Sequence, residues 1–225
     1  MEIIVGESAG FCYGVKRAVE GTFEALKNAS GEKIFCFGEL VHNKAVTNKL
    51  KEDGATFIED INDAQDVLVV RAHGIRKGDY EYLERKNTKF IDYTCPNVLK
   101  IHKIAEEYAQ NGYYIFLLGD KNHPENIGTI SFCGQNSCIL DSLDEVITTL
   151  EDIRNAGVKK LLIIAQTTYS VEKFNNIINV INSKAKNDME VIVKNTICNA
   201  TNIRQSETEK ISKEVDCMII IRRKK

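Results

Sequence analysis

The sequence predicts an α/β fold built from repeated units on parallel sheets, and three observations predict it. Short apolar runs alternate with longer segments whose apolar side chains recur at helical spacing, the pattern of strands joined by crossover helices. A strand running into a glycine, an acid and a histidine four residues after the glycine occurs twice, as Gly38-Glu39-Leu40-Val41-His42 and Gly119-Asp120-Lys121-Asn122-His123. A cysteine opens an amphipathic helix three times, at Cys12, Cys95 and Cys198.

Taken in order, residues 2–5 read as a short buried strand. The Gly10-Phe11-Cys12-Tyr13-Gly14-Val15 loop follows, then a helix with Val15, Ala18, Val19, Phe23 and Leu26 on one face. Strands are predicted at 33–37, 56–58, 66–70 and 89–91, with helices at about 43–53 and 77–86 between them. The strand at 66–70 ends in Arg71-Ala72-His73-Gly74, and the one at 89–91 delivers Cys95, with Pro96 in the favoured first helical position. The plan then repeats. A helix at 97–110 carries Val98, Ile101, Ala105 and Tyr108 on one face, and a strand at 113–118 leads to Gly119. A helix around Leu143, Val146, Ile147 and Leu150, a strand at 160–165, a helix around Phe174, Ile177, Ile178 and Ile181, and a strand at 190–193 bring the chain to Cys198.

A third pass begins there, with a more polar helix at about 201–214 and a strand at 216–221. Cys12 precedes Gly38 by 26 residues and Cys95 precedes Gly119 by 24, so a third glycine belongs near position 222. Arg222-Arg223-Lys224-Lys225 stands there instead. The predicted organisation is a first unit over 1–94, a second over 95–195 and the start of a third, cut short, over 196–225.

With 225 residues, 43% of them hydrophobic, the chain can bury a core or two. A formal net charge of -2 argues against a general nucleic-acid or anionic-membrane surface. The first residues lack the apolar run of a signal peptide and no stretch approaches membrane-spanning length. Seven cysteines in a chain read as cytoplasmic point to metal, catalysis or burial rather than disulfides. Cys36 and Cys217, inside apolar strands, read as buried; Cys133 and Cys138 have a metal-like spacing without a second pair.

In open α/β sheets, ligands bind beyond the carboxyl ends of the strands. His42, His73, His123, Gln166-Thr167-Thr168, Cys95 and Cys198 all fall there, whereas His102 lies inside a helix and reads as structural. Three thiolates without a fourth leave one metal position open for substrate. Histidines and threonine hydroxyls around the opening suit an anionic, phosphate-bearing ligand. His123-Pro124-Glu125 sets an imidazole and a carboxylate near one another, a pairing fit for proton transfer.

With these motifs in order, together with Thr94-Cys95-Pro96 and Thr196-Ile197-Cys198, the sequence resembles the 4-hydroxy-3-methylbut-2-enyl diphosphate reductases, terminal enzymes of the methylerythritol phosphate route to isoprenoids. The resemblance implies a trefoil of three α/β units around a [4Fe-4S] cluster held by Cys12, Cys95 and Cys198. It implies reductive removal of the substrate's hydroxyl to give isopentenyl and dimethylallyl diphosphates, with ferredoxin or flavodoxin as electron donor. By position, Glu125 supplies the proton with Thr167 in its hydrogen-bond network, and His42, His73 and His123 line the substrate pocket. The family's sequences continue past 221 with a glycine and a serine- and asparagine-rich loop that holds the diphosphate, so this chain is expected to turn over weakly or not at all. Two other functions use the same residues: a zinc hydrolase with Glu125 as base, and a non-catalytic iron-sulfur sensor or phosphate-binding remnant.

Overall fold

The computed structural model describes residues 2–41, 43–184 and 189–220. Among these residues, eight strands make two four-stranded sheets, parallel throughout. In the first, β1 (Ile34–Phe37) lies between β2 (Thr56–Ile58) and β3 (Val67–Val70), and β4 (Lys89–Asp92) flanks β3. In the second, β5 (Tyr114–Leu118) lies between β6 (Ser137–Leu140) and β7 (Lys160–Ala165), and β8 (Glu190–Val193) flanks β7. The strand order is therefore the same in both sheets. Even single hydrogen bonds repeat: the Gly38 amide donates to the Ile58 carbonyl at 2.8 Å and the Gly119 amide to the Leu140 carbonyl at 2.9 Å.

Helices cover both faces, which is why the central strands are apolar without alternation. Every residue of β3, and every residue of β7 after Lys160, is buried. In the first unit, α1 (Tyr13–Lys27) packs Ala18 and Val19 against Ile34, Cys36 and Val69, with α2 (Lys44–Glu52) adding Leu50; α3 (Lys77–Arg85) inserts Leu83 on the opposite face beside Leu68 and Val70. In the second, α4 (Pro96–Gln110) covers one face through Ile101 and Ala105, while α6 (Leu143–Asn155) and α7 (Val171–Lys184) cover the other through Val146, Leu150, Phe174 and Ile177.

Two elements go beyond the sequence reading. The short helix α5 (Pro124–Ile130) and the strand β6 occupy a stretch for which no element was predicted. The repeat is closed by them, since β6 is the counterpart of β2. Two expectations are corrected. Residues 2–5 and 216–220 are irregular rather than strands, and all their side chains but the partly buried Met218 are exposed, Ile3 at 76% and Ile219 at 84%; Ile221, the last residue of the second expected strand, lies outside the described residues. An isolated strand leaves its backbone amides and carbonyls unpaired, and neither segment has a neighbouring strand among the described residues. Cys217 is accordingly exposed, not buried, whereas Cys36 is fully buried. The last helix, α8 (Asn199–Ser212), follows Cys198 and buries none of its residues. No helix among the described residues is long and apolar enough to cross a membrane.

Candidate active site

The loops at the carboxyl ends of the strands carry the predicted residues, and the repeat fixes where. After β4 and β8 the chain turns into a helix, and the cysteine at each turn is tied to the loop beyond the neighbouring strand. The Cys95 amide donates to the Ala72 carbonyl at 3.0 Å, and the Cys198 amide to the Thr167 carbonyl at 2.7 Å. Cys12, Cys95 and Cys198 are each the N-cap of their helix, and none of the three side chains caps it by a hydrogen bond. That position sets each cysteine at the N-terminal end of its helix.

The three cysteines come together. A Cβ on Gly14, in the first turn of the helix that Cys12 opens, would lie 2.6 Å from Cys95 Sγ. The side-chain amide of Asn97, two residues after Cys95, donates to Cys198 Sγ at 3.3 Å. Burial pushes the Cys95 thiol up; the amides of Asn97 and Val98 pull it back, and the nearby Cys12 and Cys198 push it up again. No three His, Cys, Asp or Glu side chains among the described residues are close enough to share one metal ion. A polynuclear cluster spreads its ligands over different metal atoms and so spaces them more widely, and a set of three soft thiolates fits it.

Glu125 sits in the first turn of α5 and is 3% exposed. Its carboxylate accepts from the Thr167 amide at 2.7 Å and from the Thr167 hydroxyl at 2.6 Å. Burial raises its pKa above the ordinary carboxylate value, and the two bonds from Thr167 work against the rise. His123 caps the same helix, its Nδ1 accepting from the Glu125 amide at 3.2 Å. From the first unit His73 meets it edge to face, ring centroids 5.3 Å apart. His42 lies outside the described residues. His102 is 3% exposed, stacks on Phe132 at 4.2 Å and is held neutral by burial, its pKa lowered to about 4.

Behind these groups lies a polar core that joins the predicted Gln166-Thr167-Thr168 run to Asn126, a residue the sequence reading did not single out. Asn126 is fully buried and donates to the Asp120 carbonyl and to Gln166 Oε1, both at 2.8 Å. Gln166 in turn donates to the Thr168 hydroxyl at 3.0 Å. Gly119 lets the Asn126 and Gln166 side chains pass, since a Cβ there would sit 2.3 Å from Asn126 Nδ2. The signal available in the sequence was the proline at the first position of α5, which marks a helix start directly after the His123 loop.

A family model described as LytB protein matches residues 3–225 of the chain. The 4-hydroxy-3-methylbut-2-enyl diphosphate reductase of Caldanaerobacter subterraneus is 41% identical over 225 residues, covering 98% of this chain and 75% of that protein. The enzyme of the same name from Aquifex aeolicus is 41% identical, with 98% and 74% covered. Among solved structures, one described as (E)-4-hydroxy-3-methyl-but-2-enyl diphosphate reductase, the terminal enzyme of the non-mevalonate pathway, superposes with a TM-score of 0.78 at 36% identity over 95% of this chain and 74% of its own. The reductase structure from Plasmodium falciparum gives a TM-score of 0.79 at 36% identity, covering 91% and 63%.

Proposed function

The chain belongs to the LytB protein family, and from that premise we propose that its site carries out the reductase's reaction on 4-hydroxy-3-methylbut-2-enyl diphosphate, using Cys12, Cys95 and Cys198 as ligands of a [4Fe-4S] cluster. The reaction takes two electrons and two protons. The allylic C–O bond breaks, one proton leaves with the hydroxyl as water, and the other goes to carbon. Isopentenyl or dimethylallyl diphosphate results according to which carbon receives it. A cluster held by these three cysteines would supply the electrons, one at a time.

The chain's own residues supply the rest. Glu125 is the proton donor at the hydroxyl, since burial raises its pKa above the ordinary carboxylate value and so favours the protonated form. Thr167 positions it. His73, His123 and His42 hold the diphosphate, ring N–H groups being suited to anionic oxygens. The domain boundaries at 94/95 and 195/196, a cytoplasmic site of action and a ferredoxin or flavodoxin donor belong to the same reading.

One observation carries it. Thr167 donates to Glu125 through its amide and hydroxyl while its carbonyl accepts from Cys198, so a single residue fixes the acid against a metal-ligand loop. The test is anaerobic reconstitution followed by titration with the diphosphate. About four iron and four sulfide per chain, with a cluster spectrum that changes on adding substrate, is the expected result. A full cluster whose spectrum ignores the diphosphate overturns the reductase in favour of a sensor, and little iron overturns the cluster.

A further inference from the structure

The loops bearing Cys12, Cys95 and Cys198 are linked by contacts that run in one rotational sense. Arg17, in the helix that Cys12 opens, donates through Nη2 to the Asp92 carbonyl and through Nη1 to the Thr94 carbonyl, both at 3.1 Å, gripping the main chain that leads to Cys95. Asn97, in the helix that Cys95 opens, donates to Cys198 Sγ at 3.3 Å. Arg204, in the helix that Cys198 opens, donates through Nε to the Ser8 carbonyl at 3.1 Å and through Nη2 to the Gly10 carbonyl at 2.6 Å, gripping the main chain that leads to Cys12. Glu207, one turn further on, accepts from the Glu7 amide at 2.6 Å and from the amide and hydroxyl of Ser8. Each helix thus reaches from its own cysteine to the chain of the next, and the third closes the circle.

We infer that Arg17, Asn97 and Arg204 form a cyclic set of struts that fixes the spacing of the three cysteine loops, with Asn97 also tuning the centre they hold through its hydrogen bond to the Cys198 sulfur. The inference rests on the cluster reading above. Its physical basis is that sequence-distant loops, 83 and 103 residues apart between successive cysteines, keep a fixed geometry only if something stiff joins them. Guanidinium groups do this well, since one planar fork binds two carbonyls at once and thereby fixes direction as well as distance. Hydrogen bonds to ligand sulfur withdraw charge from it and raise the reduction potential of an iron-sulfur centre. Residues that orient metal ligands in this manner commonly change metal affinity by about 10- to 100-fold when removed.

The test uses Arg17→Met, Asn97→Leu and Arg204→Met in the full chain, with two independent measurements. In the metal-free protein, hydrogen exchange should rise at 92–95 in Arg17→Met and at 7–11 in Arg204→Met, each far in sequence from the substitution, with the two sheets unchanged. In the reconstituted protein, both arginine variants should lose iron about tenfold faster, Arg17→Lys should recover part of the loss, and Asn97→Leu should lower the midpoint potential. Asn97 is exposed, so its replacement leaves the fold intact. A wild-type chain that takes up no iron sinks the cluster reading and not the struts, which the exchange data decide alone. Unchanged exchange in the arginine variants, or an unchanged potential in an iron-loaded Asn97→Leu, overturns the inference.

Discussion

Replacing Thr167 by valine isolates one hydrogen bond at the acid. The backbone amide and carbonyl remain, so the 2.7 Å bonds to Glu125 and from Cys198 persist, and only the 2.6 Å hydroxyl bond to the carboxylate is lost. A bond to an ionised acceptor contributes about 1.5–3 kcal/mol and one between neutral groups about 0.5–1.5 kcal/mol. The loss therefore falls more heavily on ionised Glu125, by about 1 kcal/mol or more, and drives the carboxyl further up. Glu125 already has a pKa above its unfolded value because of burial. Its contribution to stability is thus present below the ordinary carboxylate range and lost as pH rises through the raised value. Thr167→Val enlarges that loss. Denaturant titrations should show the variant destabilised relative to wild type by about 1 kcal/mol more at pH 8 than at pH 4. In a Glu125→Gln background the difference between the two pH values should vanish. Equal destabilisation at both pH values in the wild-type background would mean that the hydroxyl does not discriminate between the charge states, and the assignment of Glu125 as a tuned acid would fail.

Glu125→Gln keeps the shape and an acceptor for the Thr167 amide but cannot deliver a proton, so reductase turnover should fall by roughly a hundredfold or more with iron content unchanged; an undiminished rate removes Glu125 from its role. Gly14→Ala sets a Cβ 2.6 Å from Cys95 Sγ, so the loaded chain should lose its iron at least about tenfold faster while far-UV circular dichroism is preserved. For His102 the pKa is lowered to about 4 by burial, so its contribution is present above the unfolded value near 6.5 and is lost as pH falls toward 4. His102→Leu should consequently flatten the acid side of the stability profile, by as much as about 3 kcal/mol at low pH; a profile that keeps its slope would show that another group titrates there.

What the sequence discloses and what it hides follow from how each element is stabilised. The inner strands β3, β5 and β7 are covered on both faces, so burial writes itself into them as unbroken apolar runs such as Val67-Leu68-Val69-Val70. Helix α5 is different, because its buried residues are Glu125, Asn126, Gly128 and Thr129. A helix that packs polar groups against Gln166 and Thr167 has no apolar stripe, and periodicity passes over it. The repeat could still have revealed β6, since an order of β2-β1-β3-β4 in one unit demands a partner for β5 in the other. Residues 2–5 and 216–220 erred the opposite way: apolar composition records that a segment favours a sheet, and it does not record whether a neighbouring strand is at hand. Arg17, Asn97 and Arg204 left no trace in any local pattern, as their partners lie 75 to 196 residues away in the sequence.

The placement of the arginines explains how the site can be both cationic and open. Three thiolates drawn together repel one another, as the upward push of Cys12 and Cys198 on Cys95 shows. Lysine or arginine directly on the sulfurs would relieve this, but would also occupy the lone pairs a metal needs. Here the charge is supplied from two other sources. The starts of α1, α4 and α8 present their positive ends to the thiols, and the guanidinium groups of Arg17 and Arg204 bind main-chain carbonyls behind them. A carbonyl used in this way leaves the thiol in front of it free, so the strut adds positive charge without occupying the sulfur. The same economy limits what the histidines must do. Under the proposed function a diphosphate entering beside an anionic centre would add further negative charge, and His73 and His123, whose rings meet edge to face, would offer it ring N–H donors.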